Sequence, residues 1–293
     1  MRITNSYIRD NSLANMQSNM RAISETQSQI SSGRRIQRTS DDPAASANVM
    51  RAGGSLRALD TYKRNITSAE SRVQAEETAV NSLIDILTRV KTLAVSQASD
   101  TANSQTRAAT KTEVDSLMKQ AVQLGNTKFG DGYLFGGVRS QSAPFDPTQP
   151  GFAAAPPSGE RLVEALASQL LKSTHNGRQV FLDSGALAAI KELSVALGAD
   201  DTGKISQSSA TIDASFASVQ DVLGDFGARS NQLQVTSSNL DALKINLQTF
   251  ESNLQDVDLE KAVTDMVSRQ TAYQAAMLAT SKVMGMTLTD YLR

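Results

Sequence analysis

Apolar residues recur along this chain at helical spacing over most of its length and at strand spacing only near its middle. Leu13, Met16, Met20, Ile23 and Ile30 step by three and four, with Gln27 as the polar member of a heptad seam. Leu59, Ile66, Val73, Val80, Leu87 and Ala94 repeat every seventh residue, with Tyr62, Ala69, Glu76, Leu83 and Val90 as companions. No proline interrupts the stretch after Pro43 up to Ser99, so the pattern predicts one helix of roughly 80 Å. A globule of the whole chain would have a radius of gyration of only about 19 Å, so an elongated molecule is expected. A shorter helix carries Thr110, Val114, Leu117, Ala121 and Leu124 on one face, and Leu233, Thr236, Leu240, Leu243, Leu247, Phe250, Leu254 and Val257 form another seam. Then the phase slips: Leu259, Met266, Tyr273 and Thr280, with Val263, Gln270, Met277 and Met284 between them, follow a new register. The expected fold is mainly α, an elongated antiparallel helical bundle or coiled-coil rod built from both termini, with a small β-containing domain inserted in the middle.

Capping and turn residues locate the boundaries. Asp42 is placed to cap a helix whose first residue is Pro43, where the missing N–H costs nothing. Gly33 reads as the C-terminal cap of the preceding helix, and Asp258 as the N-cap of the last one. Five of the six prolines and five of the thirteen aromatic residues fall between residues 129 and 157. There Asp131-Gly132 predicts a tight hairpin, Leu162, Leu166, Leu170 and Leu171 a short amphipathic helix, and Gln179–Leu182 an extended segment. The expected division is residues 1–42 as an N-terminal assembly helix and connector and 43–128 as long rod helices. Residues 129–183 form a β-rich outer domain, 184–257 returning rod helices, and 258–293 a C-terminal assembly helix.

Composition narrows the chemistry. Aromatics are 4% of the 293 residues and Trp is absent, a supply suited to helix seams. A single histidine, His175, and no cysteine exclude thiol nucleophiles, disulfides and nearly every zinc, haem or iron–sulfur site. No cofactor or metal is expected. The glycines of Gly130–Gly137 have the wrong spacing for a phosphate cradle, and no GK[ST], GxSxG or HExxH occurs, so no catalytic residue is nominated and no enzyme is expected. His175, beside Asn176-Gly177, reads as a solvated loop histidine. Arg34, Arg35 and Arg38 precede Asp41 and Asp42 and read as a salt-bridged connector. A net charge of −1 gives no footprint for nucleic acid. The start lacks the apolar core of a secretory signal, and no run of 18 apolar residues is present, so no membrane insertion is expected.

The two ends stand apart. Six of nine methionines, Met16, Met20, Met266, Met277, Met284 and Met286, lie in them, and thioether side chains suit surfaces that fit several neighbours. Two helices cannot enclose their own apolar stripe, so both ends are expected to order fully only when other helices surround them.

Several motifs in order carry a resemblance. Met1-Arg2-Ile3-Thr4, Gln29–Ile36 with Ser31-Ser32-Gly33-Arg34-Arg35, Ser40-Asp41-Asp42-Pro43-Ala44, Gly132–Gly137 and Thr287–Arg293 resemble the flagellin superfamily, and within it the branch of FlgL-type hook–filament junction proteins. The resemblance implies a structural axial protein of the bacterial flagellum, exported without a cleaved signal peptide through the flagellar type III apparatus. It implies a ring of identical subunits between hook-associated protein 1 and flagellin, and a cytoplasmic export chaperone on the C-terminal region. The contacts would fall on Leu13, Met16, Met20, Ile23 and Ile30 at one end, and on Leu259, Val263, Met266, Tyr273, Met277, Met284 and Leu288 at the other. Residues 138–204 match no motif. Two alternatives stay open: a flagellin that builds the filament itself, and a soluble long-helix signalling or scaffold coiled coil.

Overall fold

The computed structural model describes the backbone of residues 5–99, 102–153, 155–167, 169–172 and 175–291. Six α-helices occur among them: α1 (Asn5–Ser32), α2 (Pro43–Gln97), α3 (Ser104–Gly125), α4 (Ala186–Gly198), α5 (Thr202–Gln255) and α6 (Leu259–Tyr291). Two small antiparallel hairpins pair β1 (Lys128–Phe129) with β2 (Gly132–Tyr133) and β3 (Leu162–Leu166) with β4 (Gln169–Lys172). The helical bundle with a small β-containing middle is thus the observed fold. The chain divides into two compact units, Met1–Arg57 with Leu243–Arg293, and Ala58–Ala242.

The second unit holds the core. Every member of the Leu59–Ala94 heptad column on α2 is buried, and so are Ala69, Glu76, Leu83 and Val90 in its companion. Opposite it, α5 buries Ile205, Ile212, Val219, Phe226, Leu233 and Leu240, again every seventh residue. Ion pairs from Lys63 to Asp241 and from Lys91 to Asp213 fix the antiparallel register of α2 and α5. α3 is tied to α2 by Arg89 and Glu113 at 2.6 Å, and its first turn to the end of α4 by Arg107 and Asp200 at 2.7 Å. Asn103 caps α3 in a reciprocal box with Thr106.

The predicted helix boundaries appear at their predicted residues. Ala45 N–H donates to Asp42 Oδ1 at 2.9 Å, and Pro43 opens α2. Asp42→Ala is expected to lower stability by about 1 kcal/mol in a denaturant titration, with Asp42→Asn retaining most of it. Gly33 has φ +70, and Asp258 Oδ1 accepts the Lys261 N–H at 3.1 Å.

Three readings of the middle segment are corrected. Leu162–Leu171 is a hairpin rather than an amphipathic helix. Val163, Ala165 and Leu171 turn inward while Leu162, Glu164 and Leu170 face out, a period of two that the leucine spacing masks. Gln179–Leu182 is not extended but part of a π-helical turn, Arg178–Asp183, that seats Val180 and Phe181 in the core. Phe181 meets Phe135 edge-on and Phe145 tilted, both at 5.1 Å. Gly177 lies against this cluster, where an added Cβ would come within 2.6 Å of Phe135, leaving room for glycine alone.

His175 is buried rather than solvated. Its turn lies between the long helices, with its ring centroid 3.8 Å from that of Phe226 on α5 and its main-chain N–H donating to Glu76 Oε2 on α2 at 3.1 Å. Arg72, one turn before Glu76, donates to the carbonyls of Tyr133 and Leu134 at 3.1 and 3.3 Å, so α2 holds both ends of the inserted segment. Burial pushes the Glu76 carboxyl above the ordinary carboxylate range, against the opposing pull of His175 and Arg72. A raised folded-state value means that the stability linked to this group is complete below the ordinary range and is lost as pH rises through the folded value. The melting temperature of the wild type relative to Glu76→Gln is therefore expected to fall as pH rises from the carboxylate range to neutrality. A constant difference across that range would contradict this assignment.

Candidate assembly surface on the terminal helices

The first unit is built around α1 and α6, which pack antiparallel. At their joined ends Val257 N–H donates to Gly33 O at 3.0 Å and Arg35 N–H to Gln255 O at 2.7 Å. The Arg35 guanidinium reaches Leu254 O at 2.8 Å and Asp42 at 3.6 Å. Asp41 acts through the main chain: it accepts the N–H groups of Arg38 and Gln37, which hold its carboxyl below the usual range. The connector is therefore a hydrogen-bonded turn in which the Arg35 guanidinium supplies an ion pair to Asp42, while Arg34 and Arg38 contribute through their main chains.

The seam between these helices is offset from the apolar pattern. On α1 the half-buried and buried positions include Met16, Asn19, Ile23, Thr26 and Ile30, again stepping by three and four. One predicted column, Met16, Ile23 and Ile30, is in place, but its companion is polar, and Thr26 returns its hydroxyl proton to Ala22 O at 2.9 Å. The second predicted column is displaced by one residue, leaving Leu13 at 55% and Met20 at 51% exposure. α6 repeats the arrangement. Met266, Tyr273 and Thr280 are half-buried, Ala262 and Ala276 accompany them, and Leu259, Val263 and Met277 are exposed. Thr280 Oγ1 lies 3.9 Å from Met16 Sδ, which fixes the register of the two helices. The side chains of Met284 and Leu288 lie outside the described residues.

Each terminal helix thus carries more apolar surface than its partner covers. Among the described residues, the buried apolar side chains of the first unit are Ile36, Ala45, Ala52 and Ala262, three of them alanine. Twelve of the eighteen exposed large apolar residues lie in this same unit. They include Met50, Ile245, Phe250, Val267 and Leu278, which the interface prediction did not name. Ile245, Val267 and Leu278 sit off the heptad columns, and apolar residues out of phase with a seam are the sequence signal of a second buried face. A concentration of this kind marks an interaction surface, each large side chain being worth ~1.5–3 kcal/mol on burial. The chemistry on offer is association. Among the described residues no group of three or more metal-ligand side chains occurs, and no helix is long and apolar enough to cross a membrane.

Comparison with known proteins gives this surface a context. Residues 3–140 match the bacterial flagellin N-terminal helical region, and residues 209–292 the bacterial flagellin C-terminal helical region. The flagellar hook-associated protein 3 of Escherichia coli is 24% identical, with 93% of this chain and 96% of that protein covered. A flagellin of Halalkalibacterium halodurans is 27% identical, with 97% and 96% covered. The solved structure of a flagellar hook-associated protein from Vibrio parahaemolyticus superimposes with a TM-score of 0.67 at 20% identity, covering 74% of this chain and 100% of that one. With both terminal helical regions matched around an inserted middle, the chain belongs to the bacterial flagellin family of flagellar structural proteins.

Proposed function

We propose that this chain is a non-enzymatic axial subunit that joins the flagellar hook to the flagellin filament. The observation that carries this reading is a terminal unit with almost no core of its own and most of the exposed large apolar side chains. Copies of the chain form a ring in which Leu13, Met20, Leu259, Val263 and Met277 close against neighbouring terminal helices. Hook-associated protein 1 covers one face of the ring and flagellin the other. The covered columns Met16, Ile23, Ile30, Met266 and Tyr273 hold each pair together, and Met284 and Leu288 extend the C-terminal contact. Before assembly, a cytoplasmic chaperone shields the C-terminal helix, and the chain leaves through the flagellar type III route. Residues 129–183 project as the outer domain.

In the free monomer the terminal pair frays. Amide exchange before Ile30 and after Leu259 is expected to be fast relative to that of the Leu59–Ala94 column. Equal protection in the two regions would contradict a pair that needs neighbours.

The filament-subunit alternative is tested by deletion of the gene. Cells with intact hooks, no filaments and flagellin monomers in the medium fit a junction. Normal filaments built without this chain would rule it out.

A further inference from the structure

We infer that the cavity at the corner of α4 and α5 binds a small anionic amphiphile, a carboxylate carrying a short apolar body. This cavity, of about 560 Å³, is lined wholly by residues of the second unit. It falls in the range of small-molecule sites, roughly 300–1,000 Å³. Its space comes from small side chains: Ala188 and Ala196 on α4 face Ser208 on α5 where larger residues would fill the gap. Val195, 61% exposed, extends the apolar wall to the mouth.

Phe152 closes one side and does so in a backbone conformation that disfavours it. Its φ is +63, following Gly151 at +72, and it is held there by the Asp146 N–H donating to its carbonyl at 2.7 Å. Left-handed backbone at a bulky residue persists where the surroundings enforce it, and such positions cluster at ligand sites. Here it keeps the Phe152 ring at the cavity wall, with the Lys191 ammonium 5.1 Å from the ring centroid.

Charge selects the ligand. Lys191 and Lys204 both line the cavity, and each is held only loosely, one on an aromatic face and the other 3.5 Å from Asp201 in an exposed pair. A carboxylate in the cavity meets two lining cations, neither of which is held by a buried ion pair. Glu192 is the opposing charge on the lining and restrains the affinity.

The test is an amide chemical-shift titration of the ¹⁵N-labelled full chain with octanoate, 1-octanol and octylammonium. Octanoate is expected to give saturable shifts at Ala188, Val195 and Ala196, with affinity about fivefold above the neutral and cationic probes, as two part-exposed charge contacts provide. The Lys191→Met/Lys204→Met double variant, altered only at exposed positions, should keep the spectrum of the fold and lose that preference. Glu192→Gln should strengthen octanoate binding by about twofold. Absence of saturable shifts, equal binding of all three probes, a preference that survives in the double variant, or shifts confined to the exposed apolar residues of α6 would each overturn the assignment.

Discussion

Replacement of Met277 by glutamate is expected to abolish incorporation of the chain into flagella while leaving its circular dichroism and the stability of the second unit unchanged. Met277 lies on α6 at 45% exposure, one residue beyond Ala276 on the packed seam, so the paired helices do not need it. In the proposed ring it is a buried contact worth ~1.5–3 kcal/mol. A carboxylate there forfeits that contact and adds the cost of desolvating a charge. Each 1.4 kcal/mol is about a tenfold change in an association constant, so a loss of this size repeated at every subunit contact leaves no ring at cellular concentrations. Met277→Leu, close in volume and polarity, should support normal assembly. Filament counts and swarming in a complemented deletion strain are the readouts. Loss of the helical signal of the whole chain in Met277→Glu would instead make this residue core.

The second large effect belongs to the inserted segment. Phe181→Ala is expected to destabilise the second unit by about 3–5 kcal/mol in a denaturant titration. Its ring is fully buried and touches both Phe135 and Phe145, so truncation removes two aromatic contacts as well as its own burial. The residue stands on a π-helical turn between the His175 turn and α4, and that turn packs against α4. Phe181→Leu should cost less than half as much. A change under about 1 kcal/mol for the alanine variant would contradict the placement of this ring at the hub of the cluster.

What the amino-acid pattern revealed depended on how local the governing interaction was. The Leu59–Ala94 column, the Asp42 cap and the Gly33 terminator are each decided within a few residues or a few heptads, and all appear as expected. A hairpin also forms in the middle segment, but its turn is Gly130-Asp131 with the positive φ at Gly130, and Gly132 is already paired in β2. The heptad column from Ile205 to Phe226 was equally regular but is interleaved with Ser208 and Ser215, and these buried serines diluted its apolar signal. Long-range packing defeated local reading in the middle. Leu162–Leu171 is a hairpin because Val163, Ala165 and Leu171 face inward, and His175 is buried because Glu76 and Phe226, remote in sequence, converge on it.

The terminal helices show a subtler limit. A stepping pattern of three and four residues identifies an apolar stripe without saying how much of it one partner covers. Met16, Ile23, Ile30, Met266 and Tyr273 proved half-buried, while Leu13, Met20, Leu259, Val263 and Met277 remained open, because small and polar residues one position away take the second column. That offset of one residue is what supplies the outward face on which the assembly proposal rests.

The central claim is positional: this chain occupies the boundary between hook and filament. Immunogold electron microscopy of intact flagella, with antibody raised against residues 129–183, tests it most directly. The account predicts label confined to a single short collar where hook meets filament. Label distributed along the length of the filament would make the chain a filament subunit and contradict the junction role.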